Sequence, residues 1–142
     1  MSHLATLDVK ILDLTALAEA VAQCGAELAL HQTSFRWYQG VSPCAHAIRL
    51  PANATTDGTF GWRAKPYEVG VVPAKDGLGY ELQYDTYGAG QWIADRFGGQ
   101  ALTKLKDEYG YSVTARALAR KGYTAVRQQN ALGQLQLLAV KR

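Results

Sequence analysis

The 142-residue chain holds two cysteines, one methionine, four prolines and no apolar run near the length of a membrane span. A spanning helix needs about 20 predominantly apolar residues, so none is expected. The opening, Met1 to Asp8, lacks both a basic leader and an apolar stretch, which reads against a secretory signal. In that setting Cys24 and Cys44 are expected as reduced thiols in the cytoplasm, and the acceptor pattern Asn53-Ala54-Thr55 is idle. Paired metal-ligand clusters are missing as well. Cys44-x-His46 puts two candidate ligands on one face of a strand, but a structural zinc site needs four ligands and there is no second pair. His3 and His31 read as surface or edge-strand residues, and Cys24 falls near the C-terminal end of a helix, where the dipole disfavours a thiolate. No Ser/His/Asp or Cys/His set is recognisable. No dinucleotide fingerprint is present, since Ile93 stands where its third glycine belongs, and no Walker lysine follows any glycine pair. Neither metal nor cofactor is expected, and the pattern reads against an enzyme.

What is present is a folding chain. Hydrophobic residues make up 48%, with three Trp and eight Tyr, enough for one core and a single domain over residues 1–142. Charge is unevenly distributed. Residues 1–100 carry seven basic and ten acidic side chains, residues 101–142 eight basic and two acidic, so a net −3 precedes a net +6. Such polarity bears on partners rather than on fold.

Periodicity supplies the elements. His3 to Ile11 alternates as a half-buried strand, with Leu7, Val9 and Ile11 on one side. Asp13 stands at an N-cap position before Leu14, Leu17, Ala18 and Val21 at helical spacing, and Gly25 supplies the stop. Strands are expected over Glu27–Gln32, Cys44–Leu50, Thr59–Ala64, Tyr67–Val72 and Tyr80–Asp85; in the last, Asp85 falls on the side opposite Tyr80, Leu82 and Tyr84. Lys75-Asp76-Gly77 marks a tight turn within this antiparallel meander. Gln91–Phe97 predicts a short helix and Gln100–Lys121 a longer one, striped by Leu102, Leu105, Tyr109, Val113 and Ala117, with Gly110 as a weak point. Tyr123–Gln128 and Gln134–Val140 predict a terminal hairpin. The expected fold class is α+β: an antiparallel sheet packed against two main helices, strand–helix–strand at the N-terminus and helix–hairpin at the C-terminus. Leu14, Leu17, Val21, Val69, Val71, Leu82, Leu102, Leu105 and Leu137 are the expected core.

Three surfaces are candidates for function. Arg116, Arg120, Lys121, Arg127, Lys141 and Arg142 form a basic face on the last helix and hairpin, the first four of them expected to bind an acidic protein partner. Arg36, Trp37 and Tyr38, with Trp62, Arg63 and Lys65 and the same basic face, combine stacking with phosphate contacts and give the nucleic-acid alternative. The Gly88-Ala89-Gly90 loop with Tyr87 and Trp92 lies between a strand and a helix start, the place for a small-ligand site.

Several stretches together resemble one family. The opening Met1-Ser2-His3 and the strand after it, Ile11-x-Asp13-Leu14-x-x-Leu17-x-x-Ala20, Arg36-x-Tyr38-Gln39-Gly40, Tyr67-Glu68-Val69-Gly70, Gly79-Tyr80-Glu81-Leu82-x-Tyr84-Asp85, Tyr109-x-Tyr111 and Ala119-Arg120-Lys121-Gly122-Tyr123 occur in order along nearly the whole chain. They look like the hypothetical chloroplast reading frame thirty-five family, a domain of unknown function found in plastids, cyanobacteria, other bacteria and phages. The resemblance implies a small α+β domain without assigned catalytic residues. It also implies a stromal location for a plastid member, and an adaptor role beside an AAA-type ATPase.

Overall fold

The computed structural model describes residues 4–51 and 66–142. The expected strand Thr59–Ala64, the acceptor Asn53-Ala54-Thr55, His3, Trp62, Arg63 and Lys65 lie outside the described residues. The architecture is α+β. Five antiparallel strands form the main sheet in the order β1 (Ala5–Thr6), β7 (Tyr80–Tyr84), β6 (Val69–Pro73), β5 (His46–Arg49), β2 (Glu27–Leu30). Among the described residues, no helix is long and apolar enough to cross a membrane.

Helices α1 (Leu14–Gln23), α2 (Gln91–Phe97) and α3 (Thr103–Arg120) close one face of the sheet. Helix α1 starts where a carboxylate can serve free amides: Asp13 Oδ1 accepts from the Ala16 N–H at 3.0 Å. Its buried stripe is Ala16, Leu17, Ala20 and Val21, with Leu14 and Ala18 only half-buried. The Tyr109 hydroxyl of α3 accepts from the N–H groups of Leu12 and Asp13, at 3.0 and 3.2 Å, fixing the start of α1 against α3. Val69, Val71, Ile48 and Leu82 from the sheet complete this core.

The opposite face of the sheet is covered by a small hairpin, β3 (Ser34–Trp37) and β4 (Gly40–Pro43), which the aromatic cluster Phe35-Arg36-Trp37-Tyr38 concealed in the sequence. Phe35 is fully buried and lies over Gly70, where an added Cβ would come within 2.3 Å of its ring. Ala47 stands opposite Gly70 in the register, so two small residues make the bed for one large one.

Three expectations are corrected. The N-terminal strand is reduced to Ala5–Thr6 plus an isolated bridge from Ile11 to Tyr80, because the chain bends at Asp8–Val9; Leu7 and Ile11 are nevertheless buried. Helix α3 runs unbroken through Gly110, and beyond Tyr109 its buried side passes to Ser112 and not to Val113 or Ala117. The strand expected over Tyr80–Asp85 ends at Tyr84, and Asp85 just beyond it is fully buried, with its Oδ1 accepting from the Tyr87 N–H. The terminal hairpin, β8 (Tyr123–Gln129) and β9 (Leu135–Lys141), stands where expected as a separate two-stranded sheet, with Leu137 only half-buried against α3.

Candidate functional site

The four expected partner-binding cations divide into two kinds. Arg116 lies between α3 and α1, 3.3 Å from Asp13 and 3.1 Å from Glu19. With the cap bond from Ala16 as the larger cause, Arg116 helps to hold the Asp13 carboxyl below its ordinary range. Arg127, on β8, reaches the largely buried carboxylate of Glu108 at 2.8 Å and lies over the Tyr111 ring, 4.4 Å from its centre. These two arginines fasten α3 to α1 and the hairpin to α3. Arg120 and Lys121 have no ion pair among the described residues.

The hairpin register brings further charge to the same end. Tyr123 faces Lys141, and Arg142 donates its N–H to the Gly122 carbonyl at 3.0 Å. Arg120, Lys121, Lys141 and Arg142 therefore gather around the α3–β8 corner, none ion-paired within the described residues, while Lys106 is taken up by Asp8 at 3.4 Å. The helix C-terminus favours cations at this corner.

Beside the corner lies an apolar surface. Tyr123, Ala125, Leu135 and Leu137 turn toward α3 and are half-buried, while Val126, Leu138 and Val140 alternate with them on the outer face and remain 39%, 46% and 45% exposed. Leu132 in the turn is 83% exposed. Two open clefts flank the hairpin. One, of about 440 Å³, lies along β9 over Asp107, Gly110, Tyr111 and Thr114; the other, of about 430 Å³, lies between Thr103, Lys104, Glu108 and the hairpin turn.

The small-ligand candidates are placed differently. Gly88–Gly90 forms a single 3-10 turn in which Gly90 N–H bonds the Tyr87 carbonyl and Gln91 N–H bonds that of Gly88. The buried Trp92 donates Nε1–H to the Tyr67 carbonyl at 2.7 Å, and a Cβ on Gly90 would meet the Asp85 carbonyl oxygen at 1.7 Å. Of this set Tyr87 and Gly88 are exposed, while Ala89, Gly90 and Trp92 are buried. The aromatic-basic cluster is likewise engaged, within its hairpin and with the segment before β6. Arg36 Nη1 donates to the Pro66 carbonyl at 3.0 Å and Trp37 Nε1 to Ser42 Oγ at 2.7 Å, leaving Tyr38 exposed at the turn.

The remaining chemistry-bearing groups are buried or bonded. Burial pushes both thiols up to about 11, and Cys44 Sγ donates to the Gln32 carbonyl. The structure contains a histidine pair that the sequence did not single out. His31, at φ 64°, donates its backbone N–H to His46 Nδ1 at 2.9 Å, and the buried His46 ring lies 5.2 Å from His31 and 5.4 Å from Tyr80. Burial, then the charge on His31, holds His46 below its usual value near 6.5. Its signal in the sequence was weak, since two histidines 15 residues apart meet only because β2 and β5 pair. No family model, curated protein or solved structure matches the chain.

Proposed function

We propose that this chain is a non-enzymatic protein-interaction module that docks through its C-terminal helix and hairpin onto an acidic protein surface. The observation that carries the reading is the α3–β8 corner, where Arg120, Lys121, Lys141 and Arg142 lack ionic partners among the described residues beside the exposed Val126, Leu138 and Val140. Unpaired charge next to exposed apolar area supplies both steering and a desolvated contact. An AAA-type ATPase, the partner implied by the family resemblance, is the first candidate. The resemblance also makes the cytoplasm or a plastid stroma the setting in which to look.

The test is affinity capture from the native host with the wild-type chain and with the triple variant Arg120→Glu, Lys121→Glu, Lys141→Glu. Arg116 and Arg127 are left intact because their ion pairs hold the fold. Capture of one stoichiometric protein by the wild type and its loss in a folded variant is expected; equal capture by both overturns the docking site. A labelled oligonucleotide titrated with salt checks the nucleic-acid alternative, since phosphate contacts make affinity fall steeply as salt rises.

A further inference from the structure

We infer that the partner segment is extended and acidic and that it docks by adding a strand to the free edge of β9; this rests on the docking reading above. The hairpin ladder ends in bonded pairs, Arg142 N–H to the Gly122 carbonyl and Asn130 N–H to the Gln134 carbonyl. In an antiparallel ladder bonded pairs alternate with non-bonded ones, so between these ends the backbone groups of Leu135, Leu137, Ala139 and Lys141 point outward from the pair. Among the described residues no strand pairs this edge. Such an edge is a template for another chain, and sheet proteins usually cover or blunt it. Here Lys141 is the one charged residue along β9, at its far end.

The floor beside the edge has room for a strand's side chains. Gly110 sits within α3, where glycine costs about 1 kcal/mol relative to alanine. A Cβ there would meet nothing within 4 Å, so the missing side chain serves no close packing among the described residues; it leaves the cleft along β9 open. An incoming strand would place alternate side chains over Gly110 and Tyr111, with the others beside the outer face of Leu138 and Val140. Charge orients it. Lys141, Arg142 and Lys121 mark one end of β9 and Asp107 lines the cleft toward the other, so the acidic residues belong at the Lys141 end.

The probe is a short fluorescein-labelled peptide of alternating valine and threonine with glutamates at one end, titrated against the full chain by fluorescence anisotropy. It is expected to bind, and N-methylation of its alternate backbone amides should weaken binding by about tenfold or more, since several edge hydrogen bonds are lost. Ala139→Pro, which removes an outward N–H at an edge position that tolerates proline, and Gly110→Leu, which fills the cleft, should weaken it similarly. The N-methylated peptide, measured on the wild-type chain, remains decisive even if a variant loses its fold. Failure of the parent peptide to bind, or equal binding of the N-methylated peptide, overturns strand addition. So does a wild-type dimer that Ala139→Pro dissociates, because the edge then belongs to a second copy, or tighter binding of an oligonucleotide at the same edge. These results leave the docking reading standing if the charge-reversed triple variant still fails to capture a partner, whereas equal capture by that variant removes both.

Discussion

Up to Ser112 the chain closes on itself: α1, α2 and the first part of α3 share one apolar core with the sheet, and Phe35 seals the other face over Gly70. From Val113 to Arg142 no residue is fully buried, although the segment is regular helix and hairpin throughout. The same polypeptide thus builds one part around a shared buried core and one part held by a thin apolar contact and the ion pairs of Arg116 and Arg127. An isolated two-stranded hairpin is marginal in water, so β8 and β9 depend on α3 beneath them and have surface to spare above. The lesson is that regular structure and internal packing are separate properties, and they diverge after Ser112, in the segment where docking is proposed.

The largest test of this contrast is truncation on both sides of it. Leu17→Ala, in the closed part, is expected to cost on the order of 2–5 kcal/mol in urea unfolding. Leu137→Ala, half-buried under the hairpin, should cost clearly less; equal losses would place the hairpin within the core.

Next is overpacking. Gly90→Ala drives a Cβ into the Asp85 carbonyl and should destabilise by about 1–3 kcal/mol in the same assay. Gly110→Ala points the other way. Its Cβ enters open space and the helix gains propensity, so the midpoint should rise by a stabilisation of about 1 kcal/mol. A loss there would mean that the open side of α3 is packed after all.

The smallest effect is a pH dependence confined to the closed part. The folded pKa of His46 is depressed, so its contribution is fully present above the unfolded value near 6.5 and is lost as pH falls from there toward the folded value. Protonation would remove the acceptor for the His31 N–H and set positive charge beside the His31 ring. Stability measured between pH 7 and pH 5 should fall less steeply in His46→Asn than in the wild type. Parallel slopes would exclude His46 as the source.

What the sequence disclosed follows from how local each signal is. Asp13 and the Lys75-Asp76-Gly77 turn are local devices, and both are in place: the cap accepts from Ala16 and the Asp76 carboxylate accepts from the Leu78 N–H at 3.0 Å. The β3–β4 hairpin was hidden because its turn, Tyr38-Gln39, lacks a turn signature; its local mark was Gly40, at φ 113°. The fates of the four partner-binding candidates of the basic face were not local at all. Arg116 and Arg127 resemble Arg120 and Lys121 in sequence, and only the long-range placement of Asp13, Glu19 and Glu108 separates those that bind the chain itself from those without ionic partners at the corner.

The central claim, that the segment after Ser112 is the docking surface, is tested most directly by amide hydrogen exchange on the full chain with and without its captured partner. Protection is expected across 123–142 and the end of α3, with the sheet unchanged. Protection confined to the Gly88–Gly90 turn or the Ser34–Pro43 hairpin, with 123–142 exchanging as in the free chain, would contradict it.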